Sequence, residues 1–147
     1  MAHSYTNLPY HIVYGTRERR PIIDAGFQPR LYDYLGGTIR GLKGICLEIG
    51  SVEDHLHILV KLPPTIAISN FLEKLKANSS KWAKSVRRDF GWQGEYAAFT
   101  VSESQVDRVR HYIQTQAEHH RKATFEEELI ALLLAHRLPY DPNHLWT

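Results

Sequence analysis

The chain has 147 residues, 43% hydrophobic and 23% charged, a balance that allows one domain with a sizeable core and excludes disorder as the main state. Its formal charge of +2 is too small to imply a nucleic-acid partner by itself, so the placement of the positive residues is what counts. No run approaches the ~18 apolar residues that a membrane span requires, which leads to the expectation of a soluble, cytoplasmic protein without membrane contact.

Tyr10-His11-Ile12-Val13-Tyr14 is rich in β-formers and ends at Gly15, which predicts a first strand. Arg17, Arg19 and Arg20 follow before Pro21 breaks the pattern. Leu31, Tyr34, Leu35, Ile39 and Leu42 recur at three- and four-residue steps, predicting a helix across the Gly36-Gly37 pair. Residues 45–52 and 55–62 read as strands joined hairpin-fashion through Glu53-Asp54, and Pro63-Pro64 ends the second. Cys46, the one cysteine, falls in the first of them and reads as a buried thiol; no disulfide can form within the chain. A long basic amphipathic helix is predicted from Ile66 or Ser69 to about Phe90, stopped by Gly91. Residues 97–101 make a short strand, Ser102 or Ser104 caps a helix to about Lys122, and Thr124 caps a last helix through Ala135. The order β-α-β-β-α-β indicates an α+β class: a ferredoxin-like antiparallel sheet with additional C-terminal helices, in one domain spanning 1–147.

Two constellations carry chemistry. In His55-Leu56-His57 the two-residue period of a strand sends both imidazoles to one face and Leu56 into the core. Neutral imidazoles bind divalent metals, and two in register make half of a coordination sphere. Taken alone the pair reads equally well as structural or surface histidines. Tyr112 and Gln116 stand one helical turn apart, and His119 or His120 continues their stripe. A phenol with a pKa of about 10 is a poor nucleophile unless a cation neutralises charge on the phosphate it attacks. Gln116 offers a carbonyl oxygen as third ligand, which suits Mg²⁺ or Mn²⁺ better than a structural zinc. Singly, Tyr112 and Gln116 read as ordinary helix-surface residues. His119 and His120 are helix-surface or substrate-contact positions, with metal ligation as the lesser option.

The ordered set resembles the single-tyrosine HUH transposases, small enzymes of insertion sequences and REP-associated relatives. The His-hydrophobic-His strand motif is matched by His55-Leu56-His57, and the helical Tyr-x-x-x-Gln motif by Tyr112-Ile113-Gln114-Thr115-Gln116, followed by Glu118-His119-His120. Flanking stretches agree over nearly the whole chain: His11-Ile12-Val13-Tyr14, Arg19-Arg20-Pro21, Trp92-Gln93-Gly94, Ala98-Phe99 and Tyr140-Asp141-Pro142. The resemblance implies an enzyme that cuts and rejoins single-stranded DNA, with Tyr112 forming a 5′-phosphotyrosine and His55, His57 and Gln116 holding Mg²⁺ or Mn²⁺. It also implies recognition of DNA hairpins at element ends and a homodimer, often with the tyrosine of one subunit completing the other's metal site.

Lys74, Lys76, Lys81, Lys84, Arg87 and Arg88 crowd the long helix and read either as a solvated face or as a DNA-backbone track, to which Arg17, Arg19 and Arg20 add. Trp92 and Phe90 are candidates for stacking on an unpaired base, or else core aromatics. Glu126-Glu127-Glu128 reads as the acidic first turn of the last helix and suggests no acid–base pair. Rival readings are a non-catalytic nucleic-acid-binding ferredoxin-like module and an HUH relaxase or replication nuclease, a class usually larger than this chain. A two-motif histidine phosphoesterase needs a second His-x-Thr or His-x-Ser pair, which the sequence lacks.

Overall fold

The central strands are buried on both faces in the computed structural model, which describes residues 4–146. Strands β1 (Pro9–Gly15), β2 (Ile45–Ser51), β3 (His55–Lys61) and β4 (Ala97–Thr100) form one antiparallel sheet in the order β2-β3-β1-β4. Helices α1 (Gln28–Gly41) and α2 (Ile68–Val86) separate the strands into β-α-β-β-α-β, and α3 (Val106–Gln114), α4 (Gln116–His119) and α5 (Phe125–Ala135) follow β4. This is the expected α+β arrangement.

The two faces of the sheet carry different contents. Ile12, Tyr14, Leu56, Ile58 and Val60 point to one side and pack with Leu31, Leu35 and Ile39 of α1 and Phe71, Leu72 and Leu75 of α2. A fully buried side chain of this kind contributes roughly 1.5–3 kcal/mol, so this layer holds the sheet and the two helices together. The intervening residues His11, Val13, His55, His57 and Leu59 face the other way, toward α3 and α5. Leu56 therefore enters the core while the two imidazoles share the opposite face.

Several expectations need correction. The basic helix α2 ends at Val86 and not near Phe90, because Arg87 turns to extended backbone, pairs with Asp24 and lies over the Phe27 ring. The helix expected to run to Lys122 stops at Gln114. Thr115 leaves helical geometry (φ −104°, ψ 26°) while its hydroxyl bonds back to the His111 carbonyl at 3.0 Å, and a separate turn, α4, begins at Gln116. Cys46 is half-buried, and burial raises its thiol pKa. Among the described residues no helix is long and apolar enough to cross a membrane.

Candidate functional site

The site forms where β3, α3, α4 and α5 meet. His55 and His57 are fully buried, and each ring is fixed from behind. His55 Nδ1 donates to Asp54 Oδ1 at 2.7 Å, and the His55 ring stacks on Phe125 with centroids 4.0 Å apart. His57 Nδ1 lies 2.8 Å from Nε2 of His11, which reaches across from the neighbouring strand β1. Such partners fix which ring nitrogen points forward, here Nε2 in both cases.

What the two Nε2 atoms face is Glu128. Its Oε1 lies 3.0 Å from Nε2 of His55, of His57 and of His120. Its Oε2 accepts the Tyr112 hydroxyl and, at 3.1 Å, the Gln116 amide Nε2. The Gln116 carbonyl Oε1 is buried without a partner. His119 instead faces Thr115 Oγ1 at 3.1 Å and lies beside the Tyr112 ring.

Electrostatics follows from this packing. Burial alone would raise Glu128, but hydrogen bonds from His120, His55 and His57 hold its carboxyl far below the usual range, so it is an anion. Burial works against a charged His55 too, yet Asp54 and Glu128 on its two nitrogens raise its pKa. His57 is lowered because burial outweighs Glu128, and burial pushes His11 down to about 3. Burial and the neighbouring Glu128 carboxylate raise the Tyr112 phenol.

The structure thus brings together all four residues of the two sequence motifs, His55, His57, Tyr112 and Gln116. It adds Glu128 and His11, which the motifs did not supply, and of the two candidate histidines it sets His120, not His119, on the same carboxylate. Glu128 lies in the acidic first turn of α5 as expected, and its side chain in addition turns inward and is buried. The missed signal is its place in the stripe Phe125, Glu128, Leu129, Leu132, whose i, i+3, i+4, i+7 spacing marks the face α5 turns inward. His55, His57 and Glu128 form a buried His-His-Glu group compatible with a divalent cation.

The proposed DNA-contact residues are scattered. Arg19 lies over Phe125 and lines a cleft of about 840 Å³ with Asp54, His120, Arg121 and Lys122, on the histidine side. Arg20 is tied to the Asp89 carbonyl, and Arg17 is exposed against Gly91. Lys76 bonds to the Glu95 carbonyl over the Tyr14 ring, and Arg87 is paired, whereas Lys74, Lys81, Lys84 and Arg88 are exposed. Trp92 is 7% exposed, donates its indole N–H to Ser79 and packs edge-on against Tyr14 and Phe90. It and Phe90 are core aromatics here, not free stacking platforms.

Fold and site together define a class: a ferredoxin-like sheet carrying a buried His-His-Glu group beside a tyrosine. The family model described as "Transposase IS200 like" matches residues 4–116. The transposase for insertion sequence element IS200 of Salmonella typhimurium is 30% identical over 131 residues, covering 80% of this chain and 82% of that protein. The ISDra2 transposase TnpA of Deinococcus radiodurans is 27% identical over 119 residues, covering 74% of this chain and 84% of that protein. Two solved structures share the fold. One is a candidate transposase from Deinococcus radiodurans R1, with TM-score 0.65, 22% identity and coverage of 79% of this chain and 96% of that one. The other is a REP-associated tyrosine transposase bound to a REP hairpin, with TM-score 0.62, 14% identity and coverage of 82% and 73%. The chain belongs to the IS200-like transposase family, whose members work in DNA transposition of mobile elements.

Proposed function

We propose that this chain cleaves and rejoins single-stranded DNA through a 5′-phosphotyrosine, at element ends flanked by DNA hairpins. The observation that carries the reading is the convergence of Tyr112, Gln116, His55 and His57, from segments far apart in sequence, around one carboxylate. His55 Nε2, His57 Nε2, the Gln116 carbonyl oxygen and a Glu128 oxygen make a mixed nitrogen and oxygen donor set suited to Mg²⁺ or Mn²⁺. The unpartnered, buried Gln116 Oε1 supports that fit, since a buried carbonyl without a donor or a cation is costly. Bound there, the cation would draw charge from the scissile phosphate.

Tyr112 acts as the nucleophile. Its phenol stays protonated against Glu128 Oε2 until a phosphate arrives. Tyr112 Oη then bonds to phosphorus as the 3′-oxygen leaves, giving the phosphotyrosine and a free 3′-hydroxyl. A 3′-hydroxyl of another strand attacks that ester, the DNA is rejoined and Tyr112 regains its proton. The ester conserves the bond energy, so no nucleotide cofactor enters. A REP-associated tyrosine transposase of the same fold is bound to a REP hairpin, and we extend hairpin recognition to this chain. The exposed Lys74, Lys81, Lys84 and Arg88 would track the DNA backbone and Arg19 the strand at the site. We place the enzyme in the cytoplasm as a homodimer.

The decisive experiment incubates the protein with Mn²⁺ and a labelled single-stranded oligonucleotide carrying hairpins from the DNA that flanks its gene. A covalent adduct that survives a denaturing gel is expected, and Tyr112→Phe should abolish it while leaving hairpin binding intact. An adduct in Tyr112→Phe would show that the nucleophile is another residue. DNA binding with no adduct in any metal would favour the non-catalytic module.

A further inference from the structure

We infer that the cavity between α2 and the segment leading into β4 is a base-reading site. It takes one unpaired guanine of the bound DNA strand, with Glu73 on one edge of the base and Arg17, Lys76 and Gln93 on the other. This rests on the proposed action on single-stranded DNA and goes beyond it by assigning where, and by which groups, a base is recognised.

The cavity measures about 390 Å³ and shares no residue with the histidine centre. That volume is in the range of pockets that enclose small molecules. Glu73 and Lys76 line it from one face of α2, and Trp92, Gln93 and Tyr96 line it from the stretch before β4. Gln93 is the residue that points to a ligand. It is 4% exposed, its Oε1 accepts the Gly15 N–H, and its Nε2 is buried without a partner. The bond from Gly15 settles which end of the amide is which, so the orphan is a donor. A buried donor left unpaired is costly, and an acceptor on a ligand would satisfy it.

The other groups narrow the ligand. Arg17 is anchored by its backbone N–H on the Gly91 carbonyl at 2.8 Å, and its guanidinium lies over Gly91. Lys76 is half-buried, with Nζ 5.1 Å from the Tyr14 ring centroid and 3.0 Å from the Glu95 carbonyl. Three donors could hold a phosphate, but Glu73 lines the same cavity and its carboxylate would repel one. A carboxylate opposite donors matches a base that carries both kinds of hydrogen-bonding group. Guanine alone among the four DNA bases offers neighbouring N1–H and N2–H donors to a carboxylate, while its O6 and N7 accept, the pairing that Arg and Lys favour. Trp92 and Tyr96 give the flat ring an apolar wall. The place fits as well. Gly15, which Gln93 holds, is the register partner of His55. Arg17 and Arg19 share one short turn, and Arg19 lines the cleft on the histidine side, so a strand leaving that cleft over the turn meets this cavity.

The test measures the affinity of the full chain for oligonucleotides that carry the hairpins flanking its gene, with each unpaired position set in turn to guanine or inosine. Inosine keeps O6 and N7 and lacks only the N2 amine. At one position guanine should bind at least about fivefold tighter than inosine, the lower end of what a bidentate base contact supplies. That preference should vanish in Glu73→Ala, a change at an exposed helix position that leaves the core intact. Arg17→Gln should weaken guanine and inosine alike, because it faces the edge they share. The absence of any guanine preference overturns the inference. A preference that survives in Glu73→Ala overturns it too, since the base is then read elsewhere, and a loss confined to guanine in Arg17→Gln overturns the assignment of edges. Adduct formation with Mn²⁺ on the same strands tests the cleavage reading separately. A Glu73-dependent preference without an adduct leaves the base site standing and the cleavage refuted, and an adduct without a preference does the reverse. A chain that binds none of the strands overturns both.

Discussion

Glu126, Glu127 and Glu128 occupy one helical turn and do three different things. Glu127 forms the capping box with Thr124, Glu126 stands 3.9 Å from the Arg19 guanidinium, and Glu128 points inward among three imidazoles, a phenol and an amide. A buried carboxylate is stable only when hydrogen-bonded or paired, and Glu128 is both. Its Oε1 lies at equal distance from the three Nε2 atoms, the kind of position a shared cation would compete for. Glu128→Ala should therefore weaken Mn²⁺ binding by at least about tenfold, the scale found even for residues that only support metal ligands. Calorimetry of the DNA-free protein measures this directly, and an unchanged affinity would leave Glu128 with the seating of Tyr112 alone.

At the scale of elements, what the sequence made legible is what local spacing controls. The alternation in His55-Leu56-His57-Ile58 correctly divides core from site, and Thr124 caps the last helix as read, because both are effects of near neighbours. The break at Thr115 was not legible. The run from Val106 to His120 keeps a helical pattern, and the interruption coincides with Gln116 reaching Glu128 on another helix. The stop of α2 at Val86 has the same origin in a distant partner, the pairing of Arg87 with Asp24. Trp92 went inward because Ser79 offers its indole N–H an acceptor, which no spacing reveals. Since α5 carries Glu128, its cap matters beyond the helix itself. Thr124→Ala should cost about 1 kcal/mol, lowering the melting temperature by roughly 2–4 °C. A thermal melt of the variant beside wild type checks this, and an unchanged midpoint would mean the capping box adds nothing to the fold.

At the scale of the whole molecule, the sheet separates two charged regions. Tyr112, the histidine pair and Arg19 lie on the face under α3 and α5, while α2 packs against the opposite face through Phe71, Leu72 and Leu75. The exposed Lys74, Lys81, Lys84 and Arg88 are carried by α2 and the turn after it, across the sheet from Tyr112. Whatever DNA they hold is another part of the substrate, such as a hairpin stem. Replacing all four with Gln should weaken binding most at low salt, the difference from wild type shrinking as salt rises. Each phosphate contact adds a slope of about 0.9 to the salt dependence on duplex DNA, so the log–log slope should become shallower by about 3 to 4. The rate of adduct formation at saturating DNA should stay within about twofold of wild type, because no group on the tyrosine face is altered. Binding titrations across a salt series, paired with single-turnover adduct rates, separate these effects. A slope that does not change would identify α2 as a solvated face, and a fall in the saturated rate would show that the two faces are coupled through the sheet.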